Sequence, residues 1–149
     1  MVDSIPNPGL IALFGSGEIA PSGRKVYDHI FEKVATSVNV SIWETPAGFQ
    51  PNAALVAGKI KQFLESHLSN YKPIVTQVPL RQIRGTSSAV LKKVMAPIPN
   101  ANVIFLGPGS PTYTVRQLKH SFPWDVLRQK HYMGTHLVLA SAATIAVGR

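Results

Sequence analysis

His136-Leu-Val-Leu-Ala-Ser-Ala-Ala-Thr-Ile-Ala146 passes from large apolar residues, through one serine, into small ones. The run up to Ala140 reads as a buried strand, and the small residues after Ser141 let the backbone swing into a helix without side-chain collision. A serine on such a turn holds its hydroxyl above the end of a sheet. The same turn aims the N–H of Ala142 at whatever that hydroxyl attacks. The stretch therefore predicts an α/β layer architecture with Ser141 as a candidate nucleophile at a strand end.

Upstream, the same alternation repeats. Gly9-Leu-Ile-Ala-Leu-Phe14 reads as a first strand ended by Gly15-Ser-Gly17, and Val26 to Val34 carries apolar residues at helical spacing. Asn39 to Trp43 is a second strand. Asn52 is placed to cap a helix reaching about Leu68, with Leu55, Val56, Ile60, Phe63 and Leu64 inward. Ile74 to Val78 is a third strand, followed by a helix near Ala89 to Met95, and Asn102 to Leu106 is a fourth. Gly107-Pro-Gly-Ser-Pro-Thr112 then precedes helices near Tyr113 to Lys119 and Trp124 to Gln129, with Thr112 placed to cap the first. Apolar runs too continuous for a one-sided sheet imply a mostly parallel sheet covered on both faces, a three-layer Rossmann-like or flavodoxin-like α/β sandwich. In such sheets ligands bind outside the carboxyl ends of the strands, where Gly15 to Glu18, Thr45 to Gly48, Gly107 to Ser110 and Ser141 all fall.

The length of 149 residues fits one domain, and 45% hydrophobic with 15% charged residues is a globular balance. The absence of cysteine excludes disulfides, thiolate metal sites and a cysteine nucleophile, and makes a cytoplasmic address the default. Met1 to Pro8 lacks the plan of a secretory signal, and no apolar stretch approaches membrane-spanning length. The net charge of +8 is spread in runs no longer than two, without interleaved aromatics, so it reads as a solvated surface and not as a specific nucleic-acid site.

Gly15-Ser-Gly-Glu18, Gly107-Pro-Gly-Ser-Pro-Thr-Tyr113 and Leu139-Ala-Ser-Ala-Ala-Thr144 occur in the order of three motifs of one family. The chain thus resembles the cyanophycinase and alpha-aspartyl dipeptidase family of serine peptidases, in the class I glutamine amidotransferase-like superfamily. The resemblance implies that Ser141 is the nucleophile acting on a small peptide or amide substrate. It makes Ala142 one oxyanion donor and the loop of Gly107, Gly109 and Ser110 the other side of the hole, with Gly17 and Glu18 near the substrate. No metal or organic cofactor is implied. Three departures stand out: Leu139 and Ala143 replace the elbow glycines of the family, and Pro108 has no N–H to donate.

The family's base histidine and acidic partner lie downstream of the nucleophile, whereas this sequence stops at Arg149. None of His29, His67, His120, His131 and His136 is placed to serve instead. His136 is on the same strand as Ser141, about five residues away at roughly 3.3 Å each, near the opposite end of the sheet. The expectation is a domain truncated after the elbow, inactive by itself, whose uncovered apolar surface favours a homo-oligomer.

Two other readings stay open. Gly15-Ser-Gly-Glu-Ile-Ala20 fits the dinucleotide-binding fingerprint, with Glu44 where a ribose-binding carboxylate would stand. A non-catalytic binding or regulatory domain of the same fold is the other, supported by the altered elbow. Glu18 and Glu44 are candidates for holding a substrate amine or a histidine, against the plainer reading of solvated or helix-capping carboxylates.

Overall fold

A computed structural model describes residues 5–148. Part of the signal-peptide reading, at Met1 to Ser4, lies outside the described residues, as does Arg149. The strands are β1 (Ile11–Phe14), β2 (Asn39–Trp43), β3 (Ile74–Val78), β4 (Val103–Leu106) and β5 (His136–Ala140). The helices are α1 (Arg24–Phe31), α2 (Ala53–His67), α3 (Ser88–Val94), α4 (Pro111–Leu118), α5 (Phe122–Tyr132) and α6 (Ala142–Val147). The strands form one sheet in the order β1-β5-β4-β2-β3, and every pairing is parallel. The expected three-layer α/β sandwich is the observed fold.

Parallel strands need helical crossovers, and these bury both faces of the sheet. On one face Tyr27, Ile30 and Phe31 of α1 join Ile60, Phe63 and Leu64 of α2 over Val40, Phe105 and Val138. On the other, Leu91, Leu118, Leu127 and Ala143 from α3 to α6 cover Ile104, Leu106, Leu137 and Leu139. β4, central in the sheet, is buried at every residue. β1 is an edge strand with β5 as its neighbour, and Ile11 and Leu13 are 49% and 64% exposed.

Local details depart from the sequence reading where packing overrides periodicity. Leu55, expected inward, is 59% exposed, because α2 turns its small residues Ala53 and Ala57 to the core instead. Asn52 stands at the N-cap position of α2 but its side chain makes no capping bond; the Ala53 N–H bonds to the Gln50 carbonyl, an acceptor from the preceding turn. Ser110, and not Thr112, caps α4, with Oγ accepting from the Tyr113 N–H at 3.1 Å and Pro111 opening the helix.

Strand order reverses between β2 and β4, since the chain moves outward to β3 and then returns to the other side of β2. At such a switch point the loops leaving the two strands diverge and open a crevice. Here they meet. Gly109 lies against the backbone of Pro46, where any Cβ would overlap the Pro46 carbonyl, and the Ser110 N–H donates to that carbonyl at 2.9 Å.

Candidate functional site

β5 ends at Ala140 and α6 begins at Ala142, so Ser141 alone makes the turn between them. Its backbone is held at φ 49° and ψ −112°, a combination that L-residues avoid and that costs on the order of 1–3 kcal/mol where surrounding structure enforces it. Three hydrogen bonds do the enforcing, since the one Thr144 hydroxyl proton goes to either of two carbonyls. The Ser141 N–H donates to Phe14 O at 2.9 Å, and the Ile145 N–H closes the first turn of α6 onto Ser141 O at 3.3 Å. Thr144 Oγ1 lies 2.9 Å from both Phe14 O and Leu139 O, pinning the helix to the ends of two strands.

The turn forms with Leu139 and Ala143 in place of glycines, and both are buried, at 1% and 0% exposure. Their side chains have room because they pack into the apolar layer beneath α6. Ser141 itself is half-buried, with its Oγ donating to Gly15 O at 3.1 Å.

A cavity of about 290 Å³ opens beside it, lined by Gly15, Gly109, Pro111, Ser141, Ala142, Thr144 and Ile145. The Gly15 loop, the Gly109 loop and the serine turn thus converge on one space at the carboxyl ends of the strands. Ala142, at the first position of α6, has an N–H without an intrahelical acceptor. Of the Gly107 to Ser110 loop, Gly109 is the residue that reaches the cavity with an N–H to offer. Pro108 has none, the Ser110 N–H is committed to Pro46 and its Oγ to Tyr113, and Gly107 is buried against Phe105 and Ile60.

Gly17 and Glu18 lie outside this lining. Gly17 turns the loop at φ 80°, and the Glu18 carbonyl accepts from Tyr27 Oη at 2.7 Å. Burial, and then the Glu18 charge, push the Tyr27 hydroxyl well above its ordinary titration range, so it acts as a fixed donor. A larger hollow of about 340 Å³ lies between α4, α5 and α6, walled by Trp124, Val115 and Val147, without a residue of the serine turn.

Glu44 stands at the N-cap position of the 3-10 turn Thr45–Ala47, but its carboxylate is neither solvated nor engaged in a capping bond. It is 4% exposed, bonded at 2.9 Å to Arg81 Nε and approached by Gln77 Nε2 at 3.5 Å. A ribose-binding carboxylate would need those oxygens free. The Gly15 to Ala20 loop runs into a short 3-10 turn, Pro21–Gly23, and not directly into a helix N-terminus facing a pyrophosphate. Among the described residues no three His, Asp or Glu side chains are grouped to hold a metal, and no helix is long and apolar enough to cross a membrane.

Among the described residues no histidine lines the cavity. His131 and His136 sit at the opposite end of the sheet, bonded to Gly9 and Leu10, and His67 is beside Ser66 at the end of α2. Two roles in the site lay outside the sequence reading, although both residues fall in its motifs. Thr144 carries no signal of its own, and the Gly15 carbonyl acts through backbone that any residue would supply.

No protein-family model matches the chain, and no curated protein matches it. Among solved structures, the fold is similar to that of a peptidase from an acI-B1 Actinobacterium, with a TM-score of 0.72 and 19% identity. It is also similar to a protein from Listeria monocytogenes EGD-e described as a peptidase E, with a TM-score of 0.65 and 15% identity. The alignments cover 91% and 92% of this chain but 55% and 60% of the other two, so the chain spans little more than half the length of either. At these identities the likeness is one of fold: the five-stranded parallel α/β sandwich is a fold that peptidases use.

Proposed function

We propose that this chain carries the nucleophile-bearing part of a serine-dependent hydrolase of small peptides or amides, of the cyanophycinase and dipeptidase kind. The observation that carries the reading is the backbone of Ser141, held at φ 49° and ψ −112° on a one-residue strand-to-helix turn beside a cavity. Strain of this kind persists where a function requires it, and a nucleophile that must stand clear of its sheet is such a function.

In this mechanism Ser141 Oγ attacks the substrate carbonyl carbon while a histidine takes its proton. The oxygen, now negative, is held by the N–H groups of Ala142 and Gly109. Collapse of the tetrahedral species breaks the C–N bond, the amine leaves with the proton from the histidine, and water hydrolyses the acyl-serine by the reverse roles. The histidine and its acidic partner come from polypeptide outside this sequence, so the chain by itself is inactive. The reading calls for no metal, organic cofactor, nucleic acid or membrane. It includes a cytoplasmic location and self-association through the exposed β1 edge. The pairing of Glu44 with Arg81 speaks against the dinucleotide reading.

A fluorophosphonate probe with peptide mapping tests the proposal. A protein that supplies the histidine is labelled at Ser141 and loses the label on Ser141→Ala, whereas this chain by itself reacts no faster than that variant. A histidine-bearing protein that stays unlabelled at Ser141 would leave a non-catalytic domain of the same fold as the better account.

A further inference from the structure

The end of the sheet far from Ser141 is closed by two histidines. β1 is preceded by Gly9 and Leu10, which are wedged against the turn before β5, so that a Cβ at Gly9 would overlap the Thr135 carbonyl. The Gly9 N–H donates to His131 O at 2.9 Å, and the Gly9 carbonyl accepts from His131 Nε2 at 2.8 Å. Among the described residues the Leu10 N–H donates to no carbonyl. Its acceptor is Nδ1 of the His136 ring, at 2.9 Å, while Leu10 O receives the Leu137 N–H at 2.8 Å. A side chain therefore stands where a ladder would ordinarily continue with backbone.

This substitution makes the bond dependent on protonation. A neutral imidazole can accept at Nδ1 when its proton is on Nε2, but an imidazolium has two donors and no acceptor. Once protonated, Nδ1–H would face the Leu10 N–H, and one of the two must turn away. The backbone of His136 cannot follow, because its N–H is fixed to Asn102 O at 3.0 Å on the β4 side. Among the described residues, the charged groups acting on the ring are Lys33, just beyond α1, and His131, at the end of α5. Both are cationic when charged, so neither stabilises the imidazolium. Among the described residues β1 is bonded in the sheet to β5 alone, with no second strand to keep it in place.

We infer that His136 is a proton-sensitive latch on the edge strand: neutral, it holds the start of β1 to β5, and protonated, it releases it. The inference rests on the hydrogen bonds of Gly9 and Leu10 and is independent of what Ser141 does.

Amide hydrogen exchange of the intact chain, read at Leu10 by NMR between pH 8 and pH 5 and corrected for intrinsic exchange, tests it. In the native sequence Leu10 loses roughly tenfold protection as the His136 ring titrates, on the scale of one hydrogen bond lost together with an unpaired donor. In His136→Gln, whose amide oxygen accepts at every pH, the loss disappears. The latch is overturned if Leu10 protection stays constant through the titration of the ring, if the ring does not titrate above pH 5, or if His136→Gln shows the native pH dependence. Should His136→Gln fail to fold, the native protein decides alone, by whether the Leu10 amide shift and the His136 ring shift move with one midpoint.

Discussion

Ser141 and Gly15 are joined by a hydrogen bond of 3.1 Å from the serine Oγ to the glycine carbonyl, although they stand 126 residues apart in the chain. The bond ties the end of the edge strand to the turn that displays the serine. It also holds the hydroxyl proton on a neutral backbone acceptor, whereas attack on a carbonyl requires a base. The resting geometry is therefore that of a serine positioned but not activated.

Replacing Ser141 separates the strain of the turn from the hydroxyl it carries. Ser141→Gly and Ser141→Ala both lose the bond to Gly15, but only glycine relaxes at φ 49°. The glycine variant is expected to exceed the alanine variant in stability by about 1–2 kcal/mol. Paired urea denaturations measure the difference, and equal midpoints would mean that the turn stores no strain.

Gly109→Ala tests how the two loops at the switch point are closed. The added methyl overlaps the Pro46 carbonyl, which is backbone and cannot swing aside as a side chain would. We expect a loss of about 2–4 kcal/mol, in the range of overpacking with disrupted backbone bonds, with a matching drop in Tm. Gly15→Ala, where open space surrounds the Cβ, should change stability by less than about 1 kcal/mol.

Arg81 and Glu44 form an ion pair in which the glutamate side chain is buried and the arginine side chain is 43% exposed. Arg81→Ala leaves Glu44 with the distant Gln77 amide as its side-chain partner and should cost about 2 kcal/mol, after allowance for water reaching the arginine side. A double-mutant cycle with Glu44→Gln should return a coupling of about 1 kcal/mol or more. Additive losses would show that the pair carries no energetic coupling.

The pH dependence of stability has a defined sign. Burial first, and then Lys33 and His131, hold the His136 ring below its ordinary titration range. Between that lowered value and the unfolded value of about 6.5 the unfolded chain binds the proton and the native one does not. Stability is then fully present above about pH 6.5 and is lost as pH falls toward the native titration. Unfolding free energies measured from pH 8 to pH 5 should decline, and His136→Gln should flatten the decline relative to the native sequence.

The sheet was legible in the chain because its strands are short segments rich in β-branched and large apolar residues between turn signals. Asn39 to Trp43 and Ile74 to Val78 were delimited to the residue, since glycine, proline and polar loops punctuate them and local pattern alone sets their ends. The strand-to-helix turn at Ser141 was legible because an apolar strand segment gives way at one serine to small residues, which let the chain turn sharply without side-chain collision. What the sequence could not carry is anything that depends on partners remote in the chain. The inward face of α2 was chosen by contact with β3, which favours Ala53 and Ala57 over the larger Leu55 at close approach. Glu44 reads as a free carboxylate until the fold brings Arg81 beside it. His136 reads as one more strand residue until the edge strand offers it the Leu10 N–H. Local pattern thus determined which segments form strands and helices, and the structure alone set which strands pair. Which side chains are used up in holding the fold, and which remain free for chemistry, was decided only when distant segments were packed together.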